Sequence, residues 1–340
     1  MHFKTIPAGE PIRIAFLGCG KITAKHAGML RNWKQLQLYF ASRDGKKARI
    51  YAQEFKGSGW FASYDEAILS AAVQTVFIAT PPNSHLELAL KAIAAGKHVI
   101  VEKPPFLSSA EMERVTRVSR AQGVQVMVAE NYFYKPLRIK LRQLLESGAI
   151  GTTQFLLFNA TKTQRNDDWR DQSSTAGGGA LFEGGIHWIN FMSNLGFDVE
   201  HIVGFRPGSS TSQDSNGLER SMQVTLKYRQ GPVGTLLYSW ESWAMINGLR
   251  LSRIYGSLGS ITFESNGIFI IVKGKTRKII FPGLADISGF RAMFCDFFKA
   301  LQTGQPPVFD LELARRDLEM IEKAYASAEE MNGNSTTSLS

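Results

Sequence analysis

At 340 residues, with 44% hydrophobic and 20% charged side chains, the chain is too long for one small domain and has the composition of a globular protein with a sizeable core. The balance of 39 Lys and Arg against 30 Asp and Glu leaves +9, which suits anionic ligands such as nucleotides or phosphorylated sugars; no long basic run interleaved with aromatics argues for nucleic acid. Cys19 and Cys295 stand in unrelated contexts, and no stretch has the apolar length of a signal peptide or a membrane span, so disulfide frameworks, metal-spaced clusters and membrane partners are set aside and a reducing, cytoplasmic setting is expected.

After a short leader, residues 12–17 (IRIAFL) read as an apolar strand running into Gly18-Cys19-Gly20-Lys21-Ile22-Thr23. A glycine-rich turn between strand and helix is what a dinucleotide pyrophosphate requires: Gly18 takes the tight turn, and Gly20 lets the backbone approach the phosphates at the helix N-terminus. Thr23 occupies the third fingerprint position, where Gly or Ala packs closest, so the motif is imperfect. A plain turn would explain a lone G-x-G, but the strand before it and the helical run to about residue 31 favour the cofactor reading.

The next strand, residues 36–41, ends in Ser42-Arg43-Asp44. Ser42 stands where an acid would hold a ribose diol, and Arg43 follows; a hydroxyl and a guanidinium suit a 2′-phosphate, so NADP(H) is favoured over NAD(H). Asp44 is read as the cap of the following helix. A helix opening near residue 65 leads to a strand at 75–79, then Thr80-Pro81-Pro82-Asn83. Ser84 and Glu87 have the S-x-x-E spacing of a capping box. Thr80 and Asn83 fall on the same sheet edge as Gly18, where a cofactor would lie, while His85 in the first helical turn reads as structural rather than catalytic.

The run HVIVEKPP breaks the strand at 99–101 with a carboxylate, an ammonium group and two prolines. Ligands in open α/β sheets sit beyond the carboxyl ends of such strands, which places Glu102 and Lys103 on the ligand side and makes Pro104 a candidate cis peptide. Ser108 and Glu111 form a second capping box for a helix to residue 122, and a strand at 124–129 ends in Glu130-Asn131-Tyr132. Lys135, Arg138, Lys140 and Arg142 read as a solvated helix face. The βαβ alternation stops at residues 148–151, which gives a first domain of residues 1–150, to which a C-terminal helix can return.

The second domain, residues 151–331, opens with a strand at 154–159, a loop carrying Asp167, Asp168, Trp169 and Arg170, the glycines 177–179 and a helix over 180–195. Strands follow at 200–205, 222–228, 234–239, 249–255, 260–264, 269–272 and 277–281, with an exposed SSTSQDSNG loop between the first two. Their alternation and hairpin-sized connections predict a mostly antiparallel sheet. Tyr238 and Trp240 are placed on its solvent face as a candidate oligomer surface. Helices at 288–302 and 311–331 close the domain, and residues 332–340 form a fraying tail.

Glu183 and His187 lie four apart, on one face of the helix over 180–195. Moving a hydride off an alcohol carbon requires the hydroxyl proton to leave as well, a task suited to a histidine, while an ammonium beside the oxygen stabilises a developing alkoxide. Lys103 is therefore assigned to polarisation and His187 to the proton. Alone, His187 beside Trp188 would read as a core histidine, and Trp169 and Arg170 serve either the loop or the substrate.

The segments GCGKI, SRD, ATPPNSH, AGKHVIVEKP, AENYFYKP, GGGALFEGGIHWIN and ARRDLEMIEKAYAS occur in an order that resembles the Gfo/Idh/MocA oxidoreductases over nearly the whole chain. The resemblance implies an N-terminal Rossmann domain followed by an α+β domain with a large, mostly antiparallel, open-faced sheet often used for oligomerisation. It further implies hydride exchange between NAD(P) and a secondary alcohol or ketone of a sugar, cyclitol or sugar derivative. Matched residue by residue, Lys103 meets the nicotinamide end and the substrate hydroxyl, and His187 is the proton donor or acceptor. Glu183 stands where Asp is commoner, and Arg170 is a substrate-loop arginine. The cofactor set on this reading is Gly18, Gly20, Lys21, Ile22, Ser42, Arg43, Thr80, Pro81, Asn83, His85, Glu102, Lys103 and Asn131, with Tyr132, Trp169, Arg170, Glu183 and His187 around the substrate. No metal is implied, and a homodimer or homotetramer is. Asn190 and Phe133 replace a commonly acidic residue and a common arginine. The alternatives are a nucleotide-sugar dehydrogenase or ketoreductase, and a non-catalytic cofactor-sensing regulator on the same fold.

Overall fold

The computed structural model describes residues 3–164, 169, 172–207, 218–243, 249–274 and 276–334. The chain divides into two compact units, residues 1–129 with 294–315 and residues 130–293 with 316–340. This division falls earlier than the turn at 148–151, and the chain later returns to the first unit. The helix Pro136–Glu146 belongs to the second unit because its buried side includes Leu137, Leu141 and Arg138, whose guanidinium donates to the Asn194 carbonyl.

In the first unit, six parallel strands, β1 (Ile12–Leu17), β2 (Leu36–Ala41), β3 (Gly59–Phe61), β4 (Thr75–Ile78), β5 (His98–Val101) and β6 (Val126–Val128), take the order β3-β2-β1-β4-β5-β6. This is the doubly wound Rossmann order, with its switch point between β1 and β4. The central strands are largely buried, which is why they read as mostly apolar runs; Phe16 stacks on Phe40 and on Phe77 at 5.6 and 5.0 Å. The short edge strand β3 had no sequence signal of its own.

Some helix starts are capped as their sequence predicts. Ser108 accepts the Glu111 N–H and Glu111 reaches back to the Leu107 N–H, a pattern repeated by Ser63, Glu66 and Ala62. The capping box expected at Ser84 does not form. A 3₁₀ turn, Pro82–Ser84, leads directly into the helix His85–Ala94, and the Ser84 hydroxyl instead donates to Thr80 Oγ1 and the Pro81 carbonyl.

The second unit holds eight strands: β7 (Thr153–Thr161), β8 (Val199–Phe205), β9 (Ser221–Tyr228), β10 (Val233–Ser239), β11 (Leu251–Gly256), β12 (Gly259–Glu264), β13 (Ile270–Lys273) and β14 (Arg277–Ile280). Their order is β14-β13-β12-β11-β7-β10-β9-β8, antiparallel throughout except for the β7–β10 pair. Period-two alternation turns Leu156, Phe158, Leu236 and Tyr238 inward and leaves Phe155, Leu157 and Leu237 exposed. Tyr238 and Trp240 are thus buried, at 4% and 2% exposure, and the open face expected there is carried by their alternates.

The basic cluster is likewise not a solvated face. Lys135 and Arg138 are buried, the first with its ammonium over the Tyr132 ring, the second over Phe133 and donating to the Phe133 carbonyl. Arg142 is the member that pairs at the surface, with Glu146. Asp167, Asp168, Arg170, the loop at 209–217 and residues 335–340 lie outside the described residues, and the closing helix Leu311–Asn334 extends into the tail expected to fray. Among the described residues no helix is long and apolar enough to cross a membrane, and no group of His, Cys, Asp and Glu could hold a metal ion.

Candidate active site

In the first unit the glycine turn sits where β1, β2 and β4 end. The Gly18 N–H donates to the Ala41 carbonyl, and the Ala79 N–H to that of Leu17. At φ +106° Gly18 has a backbone that side chains rarely adopt, and a Cβ there would come 2.7 Å from the Ala79 oxygen. Gly20 precedes the helix Lys21–Leu30, no side chain caps that helix, and a Cβ on Gly20 would meet nothing within 4 Å. Uncapped amides behind open space, at the switch point of a Rossmann sheet, fit the pyrophosphate of a dinucleotide. Thr23 repairs the imperfect fingerprint: its hydroxyl donates to the Gly18 carbonyl at 2.7 Å, closing the turn by a hydrogen bond instead of by close packing. Lys21 is exposed and Ile22 half-exposed on the first helical turn.

At the end of β2, Ser42 is buried and accepts the Asp44 N–H, Asp44 caps the next helix through the Lys46 N–H, and Arg43 is exposed and bonds Tyr64. Thr80 lies against Gly18, Pro81 is half-buried, and Asn83 is exposed. His85 is buried within the first unit. Its Nδ1 lies 3.1 and 3.0 Å from the Pro104 and Pro105 carbonyls and its Nε2 2.9 Å from that of Thr80, so the buried ring ties the end of β4 to the loop after β5. Burial lowers its pKa, although the carbonyl contacts pull the other way.

The Lys103–Pro104 peptide is cis, and Lys103 is half-buried. Glu102 builds this corner from within: one oxygen meets His26 Nε2 at 2.6 Å, and the other accepts the Lys103 N–H at 3.2 Å. Burial pushes the Glu102 carboxyl up, but the His26 bond and the charges of His26 and Lys103 outweigh it and hold the carboxyl below its ordinary range. With both oxygens engaged inside the unit, Glu102 shapes the corner that carries Lys103. Lys25 also belongs here. Burial lowers its pKa, Glu102 raises it and Lys103 lowers it, which places a second ammonium near Lys103 that sequence reasoning missed.

In the second unit His187 is held by a residue that the sequence showed only as a strand end. Its Nδ1 lies 2.7 and 2.9 Å from the two carboxylate oxygens of Glu130, whose side chain is 3% exposed. The Tyr132 ring stacks on the imidazole, with centroids 4.3 Å apart and planes 12° from parallel. Leu181–Gly185 is a single π-helical turn leading into the α-helix Ile186–Ser193, a distortion that often marks functional sites. Glu183 lies buried in that turn; burial above all, with a contribution from Glu183, raises the pKa of Tyr238, whose hydroxyl stands where a Cβ on Gly184 would reach.

The remaining predicted residues divide. Asn131 is buried and donates to the Ser288 carbonyl at 2.6 Å, a bond within the second unit. Trp169 is half-buried, and its carbonyl accepts the Thr175 hydroxyl, which supports the loop-anchoring role. Phe133 is buried beneath Arg138, so the missing arginine has become core packing. Asn190 is fully buried and donates to Asp317 at 2.6 Å, which accounts for an amide at a commonly acidic position.

The chain is similar in sequence and fold to known proteins. Residues 12–130 match the model of an oxidoreductase family with an NAD-binding Rossmann fold, and residues 139–262 match the GFO/IDH/MocA C-terminal domain. Levoglucosan dehydrogenase of Pseudarthrobacter phenanthrenivorans is 29% identical over 73% of this chain and 67% of its own. The mouse trans-1,2-dihydrobenzene-1,2-diol dehydrogenase is 29% identical over 59% of this chain and 60% of its own. Among solved structures, an oxidoreductase from Thermotoga maritima superposes with a TM-score of 0.82 at 25% identity, covering 94% of this chain and 97% of that one. A levoglucosan dehydrogenase in complex with NADH and levoglucosan gives 0.83 at 20% identity, covering 94% and 98%. The fold and the glycine turn thus define an NAD(P)-dependent oxidoreductase acting on CH–OH or C=O groups. The chain belongs to the Gfo/Idh/MocA family.

Proposed function

We propose that this oxidoreductase exchanges hydride between NADP(H) and a secondary alcohol or ketone of a sugar, cyclitol or sugar derivative. The observation that carries the reading is His187 seated on the Glu130 carboxylate in a chain whose first unit presents the dinucleotide turn and Lys103. When bound, the nicotinamide supplies the hydride chemistry. His187 removes the hydroxyl proton in oxidation or returns it in reduction, and Lys103 orients the substrate oxygen and stabilises the charge that develops on it. Glu183 serves as a positioning carboxylate, and Trp169 and Arg170 as residues of the substrate loop. Relatives that act on levoglucosan and on a dihydrodiol support a polyhydroxylated or cyclic alcohol as the substrate.

A second copy of the chain is proposed to cover the exposed sheet face of Phe155, Leu157 and Leu237, giving a homodimer or homotetramer in the cytoplasm. The deciding experiment follows NAD(P)H absorbance with a panel of sugars, cyclitols and nucleotide sugars. Turnover that falls by at least about a hundredfold in Lys103→Ala and His187→Ala supports the assignment. Full activity in either variant overturns it.

A further inference from the structure

We propose that Glu130 is the positioning residue of the site, fixing the His187 tautomer and setting its basicity. The inference rests on the reading of His187 as proton carrier and adds what holds it. Three observations converge on this pair. Both Glu130 oxygens lie within 2.9 Å of Nδ1, so an Nδ1–H donates to a carboxylate that is almost wholly buried. That carboxylate is itself held, since Oε1 also accepts the Tyr132 N–H at 2.9 Å. The ring plane is set by the Tyr132 stack, and Tyr132 packs edge-on against Trp188, the residue after His187.

A neutral imidazole whose Nδ1 carries the hydrogen presents Nε2 as its basic nitrogen. In alcohol oxidation the substrate O–H bond breaks, its proton passes to Nε2, and the hydride leaves the carbinol carbon for the oxidised cofactor; reduction runs the same transfers backwards. The imidazolium so formed lies against the Glu130 carboxylate, which stabilises the charge when it appears. Tyr132 does not compete for the proton, because burial above all, with a contribution from Glu130, pushes its phenol up to about 12.

Other charged groups surround the pair: Lys135 over the Tyr132 ring, Arg250 and Glu264 acting on Tyr132, Glu183 in the π turn, and Asp317 from the closing helix, which feels the Glu130 charge. Asp317, raised to about 6, is the group whose titration overlaps that of a histidine, so the test carries Asp317→Asn as a control.

The experiment is a ¹H–¹⁵N correlation titration of the full-length chain labelled at its 6 histidines, with His187 assigned through His187→Asn. In the wild type the neutral form shows the Nδ1–H tautomer, a result that needs no variant at Glu130. Glu130→Gln keeps that tautomer, because its amide oxygen still accepts, but titrates about one pH unit lower through loss of the charge. Glu130→Leu loses the tautomer preference as well, and Asp317→Asn leaves it in place. An Nε2–H tautomer in the wild type, or an unchanged His187 titration in Glu130→Gln, overturns the proposal. Turnover measured alongside bears on the proton-carrier reading alone: with the expected tautomer but full activity in His187→Ala, Glu130 still positions the ring while that reading fails.

Discussion

The imidazole of His26 and the carboxylate of Glu102 meet at 2.6 Å inside the first unit, with side-chain exposures of 0% and 8%. The pair joins the helix behind the glycine turn to the corner that carries Lys103, so the glycine turn and a strand-end lysine share one buried support. Removing one partner of a buried pair leaves an uncompensated polar group, a change that costs about 3–5 kcal/mol. His26→Leu should therefore lower stability by about that much, while His26→Leu combined with Glu102→Leu should recover part of the loss. Urea unfolding of the set measures it, and additive effects would remove the coupling. The Glu102 pKa is depressed in the folded state, so its contribution is present above the unfolded carboxylate pKa and is lost as pH falls through the lower, folded one.

His98 sets a second pH response. Burial above all lowers its pKa to about 4 from 6.5, and its Nδ1 accepts the Gln125 N–H. The unfolded chain takes up this proton first, so stability present above pH 6.5 is lost as the pH falls toward 4, by on the order of 3 kcal/mol. His98→Gln, which keeps an acceptor, should flatten this stretch of the stability curve; urea midpoints at pH 7 and 5 would show it.

Asp317 responds in the opposite sense. Burial raises its carboxyl to about 6 despite Arg316 and the Asn190 hydrogen bond. A folded pKa above the unfolded one means that the ionised form penalises folding. The penalty is absent below about pH 4, grows as pH rises through 6, and then amounts to on the order of 3 kcal/mol. Asp317→Asn should accordingly stabilise the protein at pH 8 and have little effect at pH 4. Equal effects at both pH values would count against the buried carboxyl as the source.

Gly18→Ala combines a backbone at φ +106° with a Cβ 2.7 Å from the Ala79 oxygen. We expect cofactor affinity to fall at least tenfold, with a stability loss above about 1 kcal/mol. Gly20→Ala, which has open space in front of it, should weaken the cofactor without a comparable loss of stability. Titration calorimetry beside thermal unfolding separates the two effects.

Arg43 is exposed at the end of β2, beside the buried Ser42. Arg43→Ala should weaken NADP(H) about tenfold or more and leave NAD(H) nearly unchanged, since only the former offers a 2′-phosphate. Equal weakening in fluorescence titrations would withdraw the NADP(H) preference.

What was readable in the sequence follows from local rules. Apolar residues dominate β1 (IRIAFL) and β2 (LQLYFA), and each run ends at a glycine or polar stretch, so both strands were bounded to the residue. The Ser108 cap and the Asp44 cap are contacts within three residues, and they form. The Ser84 cap failed because a 3₁₀ turn, which spacing alone does not reveal, feeds the helix from the preceding residues.

The sequence by itself determined most of the order of strands and helices, the glycine turn and the strand-end position of Lys103, because hydrophobic period and backbone permissiveness are properties of neighbouring residues. Only the tertiary structure decided that Glu130 belongs to His187, that Glu102 belongs to His26, and that Tyr238 and Trp240 face inward. Glu130 and His187 are far apart in the chain, as are His26 and Glu102, and no local rule assigns a buried carboxylate its partner. A one-residue change of strand register reverses which side chains meet water, so the open face had to be read from β10 as it pairs with β7 and β9.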